Sequence, residues 1–196
     1  MTRYPTRRTF VATGVATLTT AIAGCTALGG ASGSDDSGPK PGPIDLSGGK
    51  SDDQGGMLIG EHFGPNGQVF YADNSPEGHD NPAWFHTLAV GLFPYHLARE
   101  QQGWTAEAVY VTDYSAVDYD LTERKGQQYI STHTAADTFG DAETLTYVAG
   151  SRVHGGMGTE LVPFSDDSDA SAFVSTHGGR TLSFDEVDRA FLQSYR

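Results

Sequence analysis

The chain is organised around the sequence SRVHGGMGTELVPF, residues 151–164. It is a glycine-dense turn around one methionine, entered by a predicted strand over 144–149 and left by another over 159–162. Because glycine tolerates positive φ and close backbone contact, this pattern presents Met157 from a tight turn, three residues from His154. A thioether is a soft donor that suits Cu(I), and imidazole also suits copper. The alternative is a β-hairpin whose methionine fills the core, a common use of this side chain.

The composition of the chain is strongly acidic. Its 196 residues carry a formal net charge of −13, with 25 acidic side chains against 12 lysines and arginines. The first 24 residues contain three arginines and no acid, so a chain that starts at Cys25 has three fewer positive charges and carries −16. Such a surface argues against binding to nucleic acid, or to anionic membranes by charge. We interpret it as halophilic, since high salt screens self-repulsion; a generic acidic protein is the alternative.

Residues 1–24 have the pattern of a twin-arginine lipoprotein signal peptide. Arg7 and Arg8 precede an apolar, uncharged run over 11–23 that is too short to span a bilayer as an ordinary helix. Ile-Ala-Gly-Cys at 22–25 then matches a lipobox, and Cys25 is the only cysteine, which excludes an internal disulfide. We expect lipid on Cys25 and a protein anchored at the extracytoplasmic face of the cell membrane. An ordinary signal peptide with an incidental cysteine is the alternative.

The next segment, residues 25–54, is predicted to be a disordered tether. From residue 31 onward it consists mainly of Gly, Ser, Asp and Pro. With so few apolar side chains it cannot bury enough surface to fold by itself. The folded part of the chain should therefore begin near residue 55.

Residues 55–120 predict a first small unit of the order strand, strand, helix, strand. The turn chemistry at 64–67, Gly-Pro-Asn-Gly, suggests a hairpin. Asn81-Pro82 has the pattern of a helix N-terminus, and Pro94 should end or kink that helix. The predicted strands are 57–63, 68–72 and 106–112, the last two being rich in apolar and β-branched residues.

Residues 121–196 repeat this order in a second unit. The strands that flank Met157 are followed by an acidic helix start at 164–167, a helix that ends at a His-Gly-Gly turn, and a strand over 180–184. Ser183 and Glu186 form a capping box for a terminal helix. Because each unit is too small for a good core, the two should pack together. The predicted fold class is α+β, with two similar small ββαβ units after the tether.

An ordered set of short motifs resembles the nitrous oxide reductase accessory protein family, NosL. The resemblance covers residues 56–187, and the set is more specific than any single piece. The motifs are Gly64-Pro65-Asn66-Gly67-Gln68-Val69-Phe70-Tyr71, Pro82-Ala83-Trp84-Phe85, Tyr147-Val148-Ala149-Gly150-Ser151, Gly156-Met157-Gly158, Val162-Pro163-Phe164, Ala172-Phe173, His177-Gly178-Gly179 and Phe184-Asp185-Glu186.

The resemblance implies an exported lipoprotein that binds Cu(I) and delivers it to nitrous oxide reductase or its copper-assembly machinery. It also implies two ββαβ units related in fold to organomercury lyase, in agreement with the repeat. One departure matters: the family usually has Cys-x-x-Cys-Gly-Met where this chain has Asp-Asp-Gln-Gly-Gly-Met at 52–57. The thiols are missing, so the resemblance carries over only the two methionines, Met57 and Met157.

The predicted metal ligands are therefore Met157 and Met57, with His154 and His62 as imidazole candidates beside the two turns. Neither histidine comes from the family pattern, and a structural or solvated histidine is the alternative at each. We expect Cu(I) as the ion. We also expect no enzymatic activity, because organomercury lyase chemistry needs a free thiol and the sulfur of the one cysteine, Cys25, should carry lipid. The alternative function is a metal-free paralogue that acts as an assembly or interaction lipoprotein.

Overall fold

The computed structural model describes residues 39–195, so the signal peptide, the lipobox and Cys25 lie outside the described residues. Within this range the chain has eleven strands, three α-helices, a π-helical turn and three short 3-10 turns. The strands are β1 (Gly67–Tyr71), β2 (Ala83–Phe85), β3 (Ala106–Thr112), β4 (Leu121–Arg124), β5 (Gln127–Ile130), β6 (Phe139–Asp141), β7 (Thr146–Ala149), β8 (Val153–Gly155), β9 (Gly158–Thr159), β10 (Val162–Phe164) and β11 (Arg180–Leu182). The helices are α1 (Phe93–Gln101), preceded by the π-helical turn Leu88–Leu92, then α2 (Asp167–His177) and α3 (Arg189–Ser194). The 3-10 turns are Ala136–Thr138, Ala142–Thr144 and Phe184–Glu186.

Two similar ββαβ units are present, as the sequence predicts. The first consists of β1, β2, α1 and β3, and the second of β7, β10, α2 and β11. In each unit the first strand is central and pairs antiparallel with the other two, giving the sheet orders β2-β1-β3 and β10-β7-β11. The α+β fold class is therefore confirmed.

The two units share one apolar core. Val69, Phe85 and Leu92 of the first unit and Tyr147 and Leu182 of the second belong to the same cluster of buried side chains. The division at residue 120 is also crossed by a strand, because β6 pairs with β3 and extends the first sheet. A separate sheet, β4-β5-β8-β9, carries the hairpin that contains Met157.

Residues 44–54 are part of the fold, so the predicted tether is wrong for this portion. Leu46 is fully buried in a cluster with Ile59 and Phe139. The side chain of Gln68 bonds the backbone of Ile44 in both directions, at 2.9 and 3.0 Å. The composition of the segment is polar, but the apolar side chains of Leu46 and Ile44 and a few long-range hydrogen bonds hold it on the first sheet.

The predicted strand over 57–63 is also wrong. In this segment only Leu58 makes a β-bridge, to Ser51, and the rest is turn and bend. The Gly-Pro-Asn-Gly run at 64–67 consequently leads into β1 and is not a hairpin turn.

The first helix begins later than predicted. Asn81-Pro82 precedes strand β2, and the helical segment starts at Leu88. Ala83 and Phe85 are fully buried while Trp84 is partly exposed, which is the alternation of a strand. Pro94 lies in the first turn of α1, directly after the π-helical turn, where a proline is tolerated.

The local signals of the second unit are mostly confirmed. The side chain of Asp166 caps α2 by accepting from the Ser168 N–H, and Gly178 ends that helix at φ +77°. The capping box of Ser183 and Glu186 is present, but it opens a 3-10 turn, and the terminal helix α3 starts only at Arg189. Within residues 39–195 there is no helix long and apolar enough to cross a membrane.

Candidate metal site

Met157 projects from the turn of a short β-hairpin. β8 and β9 pair through Gly155 and Gly158, so Gly156 and Met157 form the connection between them. Gly158 has φ +100°, a conformation that favours glycine. The Met157 side chain is 58% exposed, so the alternative that it fills the core is wrong.

This hairpin packs backbone to backbone on the loop that carries His62. The Gly156 N–H donates to the Phe63 carbonyl oxygen at 2.6 Å. A Cβ atom at Gly156 would lie 2.9 Å from the Cβ of His62, and one at Gly64 would lie 2.8 Å from the Cα of Gly155. The glycines therefore permit the close approach that their density in the sequence suggests, and they place His62 against the Met157 turn.

Met57 lies at the end of a second turn, which the backbone of Asp52 closes. The Asp52 N–H donates to the Met57 carbonyl oxygen at 2.8 Å, and the Asp52 carbonyl oxygen accepts from the Gly56 N–H at 2.7 Å. The carboxylate Oδ1 of Asp52 also accepts from the Gln54 and Gly55 N–H groups, at 2.7 and 2.6 Å. Met57 is 37% exposed and so, like Met157, can reach solvent.

Asp52 anchors this turn to the start of the first helical segment through His86. Its Oδ2 accepts from the backbone N–H of His86 at 2.8 Å and lies 2.7 Å from the ring Nδ1, and both residues are buried. Burial by itself raises the pKa of Asp52, but the hydrogen bonds from His86 and Gly55 outweigh it and hold that pKa below its ordinary value. An ionised carboxylate accepts only, so Nδ1 of His86 carries the proton.

The two turns meet at a pair of imidazoles. The ring centroids of His62 and His86 are 5.6 Å apart, with the planes tilted by 59°. His62 contacts the Met157 turn, whereas His86 is bonded to Asp52, which closes the Met57 turn. The predicted ligand His154 lies on β8, with its ring edge-on to Tyr129 at a centroid distance of 5.7 Å.

Glu160 lies behind the hairpin and was not among the predicted site residues. It is 1% exposed, and its Oε1 accepts from the N–H groups of Ala89 and Leu161, at 2.8 and 2.9 Å. Burial raises its pKa to about 7 in spite of these hydrogen bonds. The one available sequence signal is an acidic residue directly before the apolar pair Leu161-Val162.

Histidine and carboxylate ligands alone do not form a metal site in the described part of the chain. Residues 39–195 contain no group of three or more His, Cys, Asp or Glu side chains placed to hold an ion. A metal site at the two imidazoles would therefore need the thioethers to complete its ligands. A cleft of about 620 Å³ opens beside His62, with Arg124, Lys125 and Tyr129 among its lining residues.

The sequence of this fold and site matches a known family. A family model described as NosL matches residues 43–192. The chain belongs to the NosL family. The match includes Met57, His62, His86 and Met157, and it begins after Cys25.

Two NosL relatives are named copper-binding lipoproteins. The one from Stutzerimonas stutzeri is 45% identical over 53 residues, which cover 27% of this chain and 28% of that protein. The one from Achromobacter cycloclastes is 30% identical over 137 residues, which cover 69% of this chain and 62% of that protein. The matched region thus spans less than two thirds of the length of either relative.

The fold also matches a solved NosL structure. The crystal structure of the copper chaperone NosL from Shewanella denitrificans superposes with a TM-score of 0.59 at 26% sequence identity. The match covers 78% of this chain and 99% of that chain. This likeness supports the two-unit α+β architecture as the fold of the family.

Proposed function

We propose that this protein is a lipid-anchored, extracytoplasmic copper-binding protein that holds Cu(I) and passes it to a partner. Membership of the NosL family supports this, since the relatives are named copper-binding lipoproteins and a copper chaperone. Those names describe binding and delivery, which favours a protein without enzymatic activity. The partner that we propose is nitrous oxide reductase or its copper-assembly machinery.

The observation that carries the proposal is the exposure of both methionines on two turns, one in contact with His62 and the other closed by Asp52, which is bonded to His86. The exposed large hydrophobic side chains of residues 39–195 are Met57, Leu58 and Met157. Two of these three carry the soft donor that Cu(I) prefers. A methionine kept for packing would be buried, so the exposure of these thioethers favours contact with an ion or with a partner.

The chemistry that this arrangement supports is ligand exchange. Thioethers at the surface can leave the ion one at a time while the ligands of a partner replace them. Neutral sulfur and imidazole donors do not form disulfides, so such a site keeps its ligands in an oxidising compartment. The protein needs to form no covalent bond in this transfer.

The test is competition for Cu(I) between the full-length protein, purified in detergent, and a chelator of known affinity. We expect one ion per chain in the wild type, and weaker binding in the double variant Met57→Leu, Met157→Leu. Leucine conserves most of the volume and removes the sulfur. Leu58→Ala is the matched control, because it changes the same exposed surface without removing a donor.

Unchanged affinity in the double methionine variant would remove both thioethers from the site. A second candidate function, a metal-free assembly lipoprotein, is favoured by the missing family thiols and by the lack of a three-residue His or carboxylate group in residues 39–195. Wild-type protein that binds no copper under conditions where a copper-binding relative does would support that function.

Anchoring at Cys25 is part of the proposal and has its own test. Cys25→Ser should abolish incorporation of labelled lipid and release the protein from the membrane fraction, whereas the change of a neighbouring residue, Thr26→Ser, should do neither. Lipid incorporation that persists without the sulfur of Cys25 would contradict the lipobox. The twin-arginine signal and the halophilic source stay predictions from the sequence.

A further inference from the structure

One nitrogen of the His86 ring has no hydrogen-bond partner within residues 39–195. His86 is only 5% exposed, and its Nδ1 is bonded to Asp52, whereas its buried Nε2 is unpartnered. Buried polar atoms without partners are few in native proteins, and each calls for an explanation. A ring nitrogen of histidine is also the most common nitrogen ligand for metals.

The hydrogen bonds around Asp52 determine which ring nitrogen of His86 is free. Its carboxylate accepts four N–H donors, which are the backbone groups of Gln54, Gly55 and His86 and the ring Nδ1 of His86. With the proton on Nδ1, a neutral His86 ring carries its lone pair on Nε2. A carboxylate that holds the far nitrogen of a histidine in this way is the usual support of a metal-binding imidazole.

The groups around His86 form a set of soft and borderline donors. The His62 ring lies at a centroid distance of 5.6 Å, and its residue contacts the turn that presents Met157. The backbone of Asp52 bonds the residue at the end of the other turn, Met57. Imidazole with thioether suits Cu(I), whereas calcium and magnesium need oxygen ligands.

We propose that Nε2 of His86 is a metal ligand, that His62 is the second imidazole ligand, and that Asp52 is the positioning residue for His86. This inference deepens the proposed function and rests on it for the identity of the ion as Cu(I). It assigns a ligand outside the set that the sequence predicts, and the buried nitrogen of His86 would share the ion with the thioethers.

His79 provides a matched control within the same protein. It also lies near an aspartate, with Nε2 at 2.9 Å from Asp53 Oδ1, but its Nδ1 lies 2.7 Å from the Asp80 carbonyl oxygen. Both nitrogens are engaged, and the ring stacks on Trp84 at 3.8 Å. The His79–Asp53 pair therefore has the same residue types as His86–Asp52 but no free ring nitrogen.

The test is Cu(I) affinity in His86→Asn and His79→Asn. Asparagine keeps an N–H donor near the position of Nδ1, so the bond to Asp52 can persist, and it removes Nε2. We expect Cu(I) affinity to fall at least about tenfold in His86→Asn and to stay unchanged in His79→Asn. Asp52→Asn should weaken binding by about 10–100-fold, because the orienting carboxylate is lost.

A second readout records the ligands directly. X-ray absorption of the copper-loaded wild type should show scattering from two imidazoles, and His86→Asn should show one. Absence of imidazole scattering in the wild type overturns the inference, even where the variant fails to fold. Unchanged affinity in a folded His86→Asn also overturns it and leaves the proposed function intact.

Cobalt(II) separates the two proposals. Its visible absorption bands report imidazole coordination without copper. Wild-type protein that binds Co(II) through His86 but takes up no Cu(I) would support the His86 site and overturn the proposed copper function. A wild type that binds neither ion overturns both.

Discussion

The two ββαβ units share a strand order but differ where the second strand meets the helix. In the second unit this junction is exposed, and Asp166 caps α2 from within the same segment by accepting from Ser168. In the first unit the junction is buried at His86 and Thr87, and the N–H of Ala89 is bonded by Glu160, 71 residues away. The same strand order thus has a solvent-exposed helix cap in the second unit and a buried polar cluster in the first.

The first junction is tightly packed around its helical start. The helical segment opens with a π-helical turn, in which the Leu92 N–H donates to the Thr87 carbonyl oxygen at 3.0 Å. A Cβ at Gly91 would lie 2.7 Å from Thr87 Oγ1 and 3.4 Å from Asp52 Oδ2, so glycine is needed there. π-helical turns are rare and often lie at functional sites, and this one approaches the carboxylate of Asp52 at Gly91.

The largest expected effect is at Asp52. Asp52→Ala removes the acceptor of four N–H groups and leaves the ring and backbone N–H groups of His86 unpaired in the interior, whereas Gln54 and Gly55 are exposed to solvent. We expect the free energy of unfolding to fall by about 2–5 kcal/mol, because each buried donor left without an acceptor costs about 1–3 kcal/mol. Urea denaturation measures it, and a loss below 1 kcal/mol would mean that the buried junction is not a stability element.

The next largest effect is the pH dependence of folding stability that Glu160 produces. Its pKa is about 7 in the folded protein against an ordinary value of 4.5, so the folded state holds the proton more tightly. The contribution of Glu160 to the free energy of unfolding is therefore fully present below pH 4.5. It is lost as the pH rises to 7, and the total loss is about 3 kcal/mol.

Glu160→Gln is the matched variant for this prediction, because its carbonyl oxygen can still accept from the Ala89 and Leu161 N–H groups. The difference in unfolding free energy between variant and wild type should grow between pH 4.5 and 7 in favour of the variant, and should stay constant above pH 7. A difference independent of pH would show that Glu160 titrates normally.

A smaller effect is expected where the β8-β9 hairpin contacts the loop that carries His62. Gly156→Ala would place a Cβ 2.9 Å from His62 Cβ and 3.1 Å from the Phe63 carbonyl oxygen. We expect a loss of about 1–3 kcal/mol, the usual cost of overpacking, together with weaker Cu(I) binding. Gly42→Ala is the control, since a Cβ there meets nothing within 4 Å; equal stability of the two variants would contradict the close contact.

The smallest effect is expected at the exposed cap of the second unit. Asp166→Ala removes the side-chain acceptor for Ser168 but leaves no buried donor unpaired, because this helix start is open to solvent. The loss in unfolding free energy, measured by urea denaturation, should be smaller in Asp166→Ala than in Asp52→Ala, and Cu(I) affinity should not change. If Asp52→Ala and Asp166→Ala lowered the free energy of unfolding equally, the contrast between the buried and the solvated junction would not hold.

The sequence by itself determines the features that depend on near neighbours. The Asp166 helix start, the capping box of Ser183 and Glu186, and the glycine turn around Met157 are each encoded by a few consecutive residues, whereas the exposure of the Met157 side chain is not. A helix cap or a glycine turn depends on local backbone geometry. Its residue pattern can therefore be recognised in the sequence without knowledge of the fold. The start of the first helix cannot be predicted in this way, because Asn81-Pro82 has a helix-start pattern but leads into strand β2.

Only the tertiary structure decides the polar interior of the first unit. Asp52 and His86 are 34 residues apart, and Glu160 and Ala89 are 71 apart, and no periodicity in the sequence links either pair. Leu46 was likewise assigned to a tether, although it is fully buried on a sheet formed by later residues. Long-range hydrogen bonds and isolated buried side chains depend on where distant segments are packed. The free nitrogen of His86 therefore follows from the packing of Asp52 against His86, and no local residue pattern predicts it.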